Sequence, residues 1–176
     1  MLKKSVFLLF FLIYFFQLNL TNAEEFKINY VDIDKIILQS DAGKKMNKLI
    51  EASIKKKNKR FQKIEEDLKK KDAEIVKQQN ILSKDELNKK IQDLQKEIQN
   101  YRSEKENFRK EMAQKKLNAT GQMVSNLNKI LGQYANENSI SLIIQKKNIV
   151  IGKSDMDITK QILEIFNKEV KEVKLN

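Results

Sequence analysis

Between Gly43 and Tyr134 the apolar residues of this chain recur at intervals of three and four, and that spacing confines the segment to long helices that pack along a seam. The first stretch carries Met46, Ile50, Ile54, Phe61, Ile64, Leu68 and Ile75, with Lys57 and Lys71 diluting the stripe. The second carries Leu87, Ile91, Leu94, Ile98, Tyr101, Phe108 and Met112, and continues through Ala119, Met123, Leu127, Ile130 and Tyr134. Every step within each stretch is three, four or a sum of the two, which is coiled-coil spacing. The chain contains no proline, so no helix is interrupted by a missing N–H donor.

The two stretches are separated at Ile81-Leu82-Ser83-Lys84-Asp85-Glu86. Ser83 followed three residues later by Glu86 is the capping-box pattern that satisfies orphan amides at a helix start. A single uninterrupted helix is the alternative, and the antiparallel hairpin is preferred because of that cap. At about 1.5 Å per residue the first arm helix, Asp41 to Asn80, is roughly 60 Å long and the second, Lys84 to Tyr134, roughly 75 Å. The second therefore runs deeper into whatever holds the hairpin.

The flanks have a different texture. Residues 1–23 have the parts of a cleaved secretory signal: Lys3 and Lys4, an apolar run from Val6 to Phe16, and Leu20-Thr21-Asn22-Ala23 before the cut. Gln17 and Asn19 interrupt the run, which falls short of the roughly 20 apolar residues a spanning helix needs. Residues 24–42 form a first part of a base, with an alternating strand Phe26 to Val31, then Asp32 capping a short helix Ile33 to Leu38. Ser40 and Asp41 start the arm, residues 43–134, whose last turns enter the base. Residues 135–176 read as a β-hairpin, Ser139 to Gln145 and Ile149 to Ile151 about a Lys146-Lys147-Asn148 turn, and then a helix from Ile158 to about Val173 capped by Asp157. The fold class is α+β, mainly α: a helical-hairpin arm on a small β-rich base. That base is too slight to bury its own core and leaves strand edges open, which packing several copies around an axis would cure.

Function follows from charge and from what is missing. There is no Cys and no His, which removes disulfides, thiolate nucleophiles, imidazole bases and the common zinc ligands. The acids are scattered, and no calcium-loop or phosphate-loop pattern occurs. No catalytic, cofactor-binding or metal-ligating residue is nominated, and an enzyme is the least favoured class. The formal charge is +11, or +9 after loss of the signal. From Gly43 to Asn118 there are 23 basic and 13 acidic residues, so the positive excess belongs to the arm and attracts anionic partners. Its densest piece is Lys55, Lys56, Lys57, Lys59 and Arg60, the first choice for client or anion contact, with Ile81 and Leu82 at the tip for apolar contact. Any exposed coiled coil carries solvated lysines, but five like charges on neighbouring positions repel one another. No aromatic residue is interleaved for base stacking, and nucleic acid is not an expected partner.

The opening Ile28-Asn29-Tyr30-Val31-Asp32-Ile33-Asp34-Lys35-Ile36-Ile37-Leu38-Gln39-Ser40-Asp41-Ala42-Gly43-Lys44 resembles the I-x-x-V-D-x-x-K-[VI]-[LF]-x-x-S-x-x-G-K opening of the OmpH/Skp family of periplasmic chaperones. Asp155-Met156-Asp157-Ile158-Thr159 is similar to that family's closing D-[IL]-T. Asp41 stands where the family often has proline, and Asp also suits a first helical turn. The resemblance implies a jellyfish-like homotrimer with three arms around a cavity, working in the periplasm without ATP. It implies unfolded outer-membrane proteins as partners, held against aggregation, and an affinity for lipopolysaccharide or anionic lipid. The rival reading is a structural coiled-coil envelope protein at the membrane surface, which would call for a retained anchor or a lipidated Cys.

Overall fold

The computed structural model describes residues 26–175; the expected signal peptide lies outside them. Strand β1, Ile28–Val31, leads into helix α1, Ile33–Gln39. Asp32 caps α1 as expected, its Oδ1 accepting from the Lys35 amide at 2.9 Å. Ser40 then serves two helices at once. Its amide donates to the Ile36 carbonyl at 2.9 Å and closes α1, while its buried Oγ accepts from the Gly43 amide at 3.1 Å and opens α2, Asp41–Gln78. The joint is tight enough that a Cβ on Gly43 would lie 1.8 Å from the Ile37 carbonyl oxygen. The Ser and Gly of the S-x-x-G pattern are thus the parts of a corner between helices.

After α2 the chain turns over Gln79–Ser83 and returns as α3, Lys84–Glu137. The capping box is present in full: Ser83 Oγ accepts from the Glu86 amide, and Glu86 Oε2 accepts from the Ser83 amide at 3.1 Å. The Ser83 hydroxyl and amide bonds hold the Glu86 carboxyl below the usual carboxylate range. With 38 residues in α2 and 54 in α3, the helices are about 57 and 81 Å long at 1.5 Å per residue. α3 ends in a two-bond reverse turn, with the Ile140 amide on the Ala135 carbonyl at 2.9 Å and the Ser139 amide on Asn136 at 3.5 Å. Ser139 takes the left-handed conformation there, φ 51°, a position that glycine usually fills.

Strand β2, Leu142–Gln145, pairs with β1 in parallel, Ile28 opposite Leu142 and Val31 opposite Gln145, so the whole arm is the crossover between two adjacent strands. The expected β-hairpin is not formed. Lys146–Asn148 is a 3₁₀ turn, and none of its residues has the positive φ that a tight hairpin loop requires. Ile149 to Ile151 therefore finds no strand partner among the described residues, and Val150 and Ile151 are 103% and 91% exposed. β1's second edge is instead met by a bridge from Tyr30 to Asp157, with the Ile158 amide on the Tyr30 carbonyl at 3.0 Å.

Helix α4 spans Thr159–Glu169, shorter than expected and beginning one residue later. The N-cap is Ile158 rather than the expected Asp157 and makes no side-chain cap bond; Asp157, one residue earlier, accepts from the Thr159 amide through Oδ1 at 2.9 Å. The helix stops because Val170 turns into an extended conformation, φ −110° and ψ 93°. The tail then crosses the root of the arm. Gln122 on α3 brackets Lys174 with both ends of its carboxamide, at 3.1 and 3.3 Å, while Lys45 on α2 pairs with Glu172. Val173 and Leu175 pack onto the core below.

That core sits where the arm enters the base. Ile36 of α1, Met46 of α2, Met123 and Leu127 of α3, and Ile162 and Phe166 of α4 form one buried cluster. Burying side chains of this size stabilises by roughly 1.5–3 kcal/mol each, which anchors a lever whose distal part is largely solvated. Among the described residues, no helix is long and apolar enough to cross a membrane.

Candidate functional site

The interruptions in the apolar stripe decide what the arm presents. Lys57 occupies the seam position between Ile54 and Phe61, and Glu104 the facing gap between Tyr101 and Phe108. They meet at 2.7 Å, with Arg60 3.4 Å from the same carboxylate. The Lys57 hydrogen bond, with attraction from Arg60 adding to it, holds the Glu104 carboxyl below the usual range. The Lys57 ammonium also lies 5.4 Å from the Phe61 ring centre and 5.7 Å from that of Phe108. Lys71 repeats the device further out, meeting Glu97 at 2.6 Å. Each interruption in α2 is thus matched by an acid on α3, which favours this antiparallel register over a slipped one.

The five-charge cluster therefore divides. Lys57 is turned into the seam and Arg60 leans on Glu104, whereas Lys55, Lys56 and Lys59 are exposed and in no ion pair among the described residues. The tip residues nominated with them are far away: Arg60 to Ile81 is about 30 Å along the helix at 1.5 Å per residue. Ile81 is 80% exposed and Leu82 half-buried. Lys90 ties to Gln78 just below them at 3.0 Å, so the tip is braced though its apolar side chain is bare.

Sequence reasoning did not find the cleft between the helices that runs along α2 from Asn47 to Phe61. There the seam carries Asn47, Asn58 and Ala113, too small or too polar to fill it, and a space of about 590 Å³ opens. Ile50, Ile54, Phe61, Phe108 and Met112 make its apolar lining. Phe61, 3% exposed, is its most buried wall, set edge-on to Phe108 at 6.0 Å and to Tyr101 at 5.9 Å between ring centres. Lys105, Arg109 and Lys116 of α3 stand on its lining opposite a lone acid, Glu51. The available signal was the step of seven from Met112 to Ala119, which leaves Lys115 and Lys116 where a seam residue belongs. Among the described residues no three acids converge on a point where a metal ion would sit.

The family model for outer membrane protein (OmpH-like) matches residues 27–166. No curated protein sequence gives a significant match. Among solved structures, a candidate outer membrane chaperone (OmpH-like) from Caulobacter crescentus CB15 superposes with a TM-score of 0.78 at 15% identity, over 85% of this chain and 88% of that one. At that identity the likeness is one of fold: a long helical hairpin rooted in a small sheet.

Proposed function

The chain belongs to the OmpH-like outer membrane protein family, and from that premise we propose that it is an ATP-independent holdase of the periplasm, which binds unfolded outer-membrane proteins between basic arms and keeps them from aggregating before insertion. The observation that carries this reading is the composition of the arm surface. Half-buried apolar residues along the seam alternate with cations that no acid among the described residues neutralises, Lys55, Lys56 and Lys59 among them. An extended client offering both apolar side chains and acids meets many weak contacts at once. Such contacts sum to useful avidity and release without an energy source.

A homotrimer is part of the proposal. Ile149 to Ile151 is an apolar strand-like segment with no strand partner among the described residues, beside a two-stranded sheet that is marginal alone. A neighbouring copy supplies the missing partner, and three arms then enclose a cavity. The signal peptide delivers the chain across the inner membrane and is removed after Ala23. Anionic lipid or lipopolysaccharide is a second partner for the exposed lysines.

The test is refolding of a denatured outer-membrane barrel from urea, with and without residues 24–176 and with no ATP present. Light scattering should fall as the chaperone is added and plateau near one trimer per barrel. Undiminished scattering at a trimer excess refutes the holdase reading.

A further inference from the structure

We propose that the cleft inside the arm, between α2 and α3, receives the apolar side chains of a client strand while the strand's backbone stays at the mouth. This rests on the holdase reading and gives it a defined contact within a single protomer.

Three observations carry it. The cleft is large, about 590 Å³, within the roughly 300–1,000 Å³ range of sites that hold specific small ligands. The apolar half of its lining, Ile50, Ile54, Phe61, Phe108, Met112 and Ala113, has nothing to offer a peptide backbone; the polar half is the carboxamides of Asn47 and Asn58 and four exposed charged residues, Glu51, Lys105, Arg109 and Lys116. A buried amide would go unsatisfied there, whereas an apolar side chain loses nothing by entering. The same surface is tolerant of shape, because Met112 is unbranched and polarizable and the rings of Phe61 and Phe108 offer both edge and face.

The dimensions suit a strand of a membrane barrel, whose residues alternate between apolar and polar. Asn47 to Phe61 covers about 21 Å of helix axis at 1.5 Å per residue. An extended chain advances about 3.3 Å per residue, so about six residues lie along the mouth and about three side chains point inward. Charge selects the flanks. Among the described residues, Arg109 and Lys116 line the cleft without an ion pair and Lys105 is spent only on Tyr101, against the single lining acid Glu51, so the outward residues that fit best are acidic.

The chain has no cysteine, so Asn58→Cys places a single reporter at the cleft. Its rate of maleimide labelling is measured in the full-length mature protein, alone and with a urea-denatured outer-membrane barrel diluted into the mixture. Labelling should slow at least tenfold when the barrel is present. Ala113→Trp, which fills the cleft, should weaken barrel binding about tenfold with an unchanged far-ultraviolet dichroism spectrum. The proposal is overturned if the barrel leaves the Asn58→Cys rate unchanged, or if a folded Ala113→Trp protein holds the barrel as tightly as the native chain. It is equally overturned if micromolar sodium laurate protects the cysteine and the barrel does not, which would make the cleft a lipid pocket. If Ala113→Trp fails to fold, the labelling measurement decides alone. A native chain that suppresses aggregation while the cleft tests fail retains the holdase function without this site; one that fails to suppress it refutes the holdase reading itself.

Discussion

Replacing Gly43 by alanine separates two physical effects of opposite sign. Gly43 lies in the first turn of α2, where alanine is favoured over glycine by up to about 1 kcal/mol of helix propensity. Propensity alone therefore makes Gly43→Ala stabilising. Sterics at this corner point the other way. The new Cβ would sit 1.8 Å from the Ile37 carbonyl oxygen and 3.1 Å from Ser40 Oγ, and the nearer atom is backbone, which no rotamer change can move. Relief requires α1 and α2 to separate by more than an ångström. That opens the buried cluster of Ile36, Ile37 and Met46 and pulls the Gly43 amide off the Ser40 cap. Overpacking of this kind costs about 1–3 kcal/mol and loss of the cap about 1 kcal/mol. After subtracting the propensity gain, a net loss of roughly 1–3 kcal/mol is expected. Urea unfolding followed by dichroism at 222 nm, at one fixed protein concentration because assembly shifts apparent stability, measures it. A midpoint equal to or above that of the native protein would refute the steric reading and leave helix propensity in command.

Three further outcomes follow from the same geometry. Glu104→Gln leaves Lys57 against two rings without its carboxylate and should cost up to about 1 kcal/mol, while Lys57→Met with Glu104→Leu, which makes the seam apolar, should match or exceed the native stability in the same urea titration. Ser139→Gly removes a left-handed non-glycine residue, offset in part by glycine's freedom in the unfolded chain, and should raise stability by about 0.5–1 kcal/mol; a fall would mean that the serine side chain contributes a contact. Burial alone would raise the Asp157 carboxyl, but hydrogen bonds from Lys146 and Thr159 outweigh it and hold it low, and the Asp157 bond raises Lys146. The carboxylate's contribution is therefore complete above its ordinary value near 3.9 and is lost as pH falls through the depressed one, while that of Lys146 is lost above about 10.4 as pH rises through its raised value; Asp157→Asn should flatten the acid limb of the stability profile, and an unchanged limb would refute the assignment.

How far the chain could be read in advance depended on how far apart the deciding residues lie. Ser83 and Glu86 are three apart, and so are Ser40 and Gly43; a local cap shows itself in local spacing, and the helix starts were legible for that reason. Ser139 closes α3 in a conformation that glycine usually takes, so the signal for that end was absent. The second strand was assigned its neighbour in sequence, Ile149 to Ile151, yet it pairs with Ile28–Val31, which precedes the whole arm. The five-charge cluster was legible as charge alone. That Lys57 faces inward while Lys55, Lys56 and Lys59 face water depends on where Glu104 stands on the other helix.

The sequence by itself determined that two long helices form, where they start, that they pack along a seam, and that the positive charge lies on them. Those properties reside in periods of three and four and in side chains that cap their own backbone. Only the tertiary structure decided the parallel pairing of the two strands, the inward turn of Lys57, the strap from Gln122 to the C-terminal tail, and the cleft of about 590 Å³. Each of these depends on residues brought together from distant parts of the chain, where the deciding quantity is the register of one helix against the other.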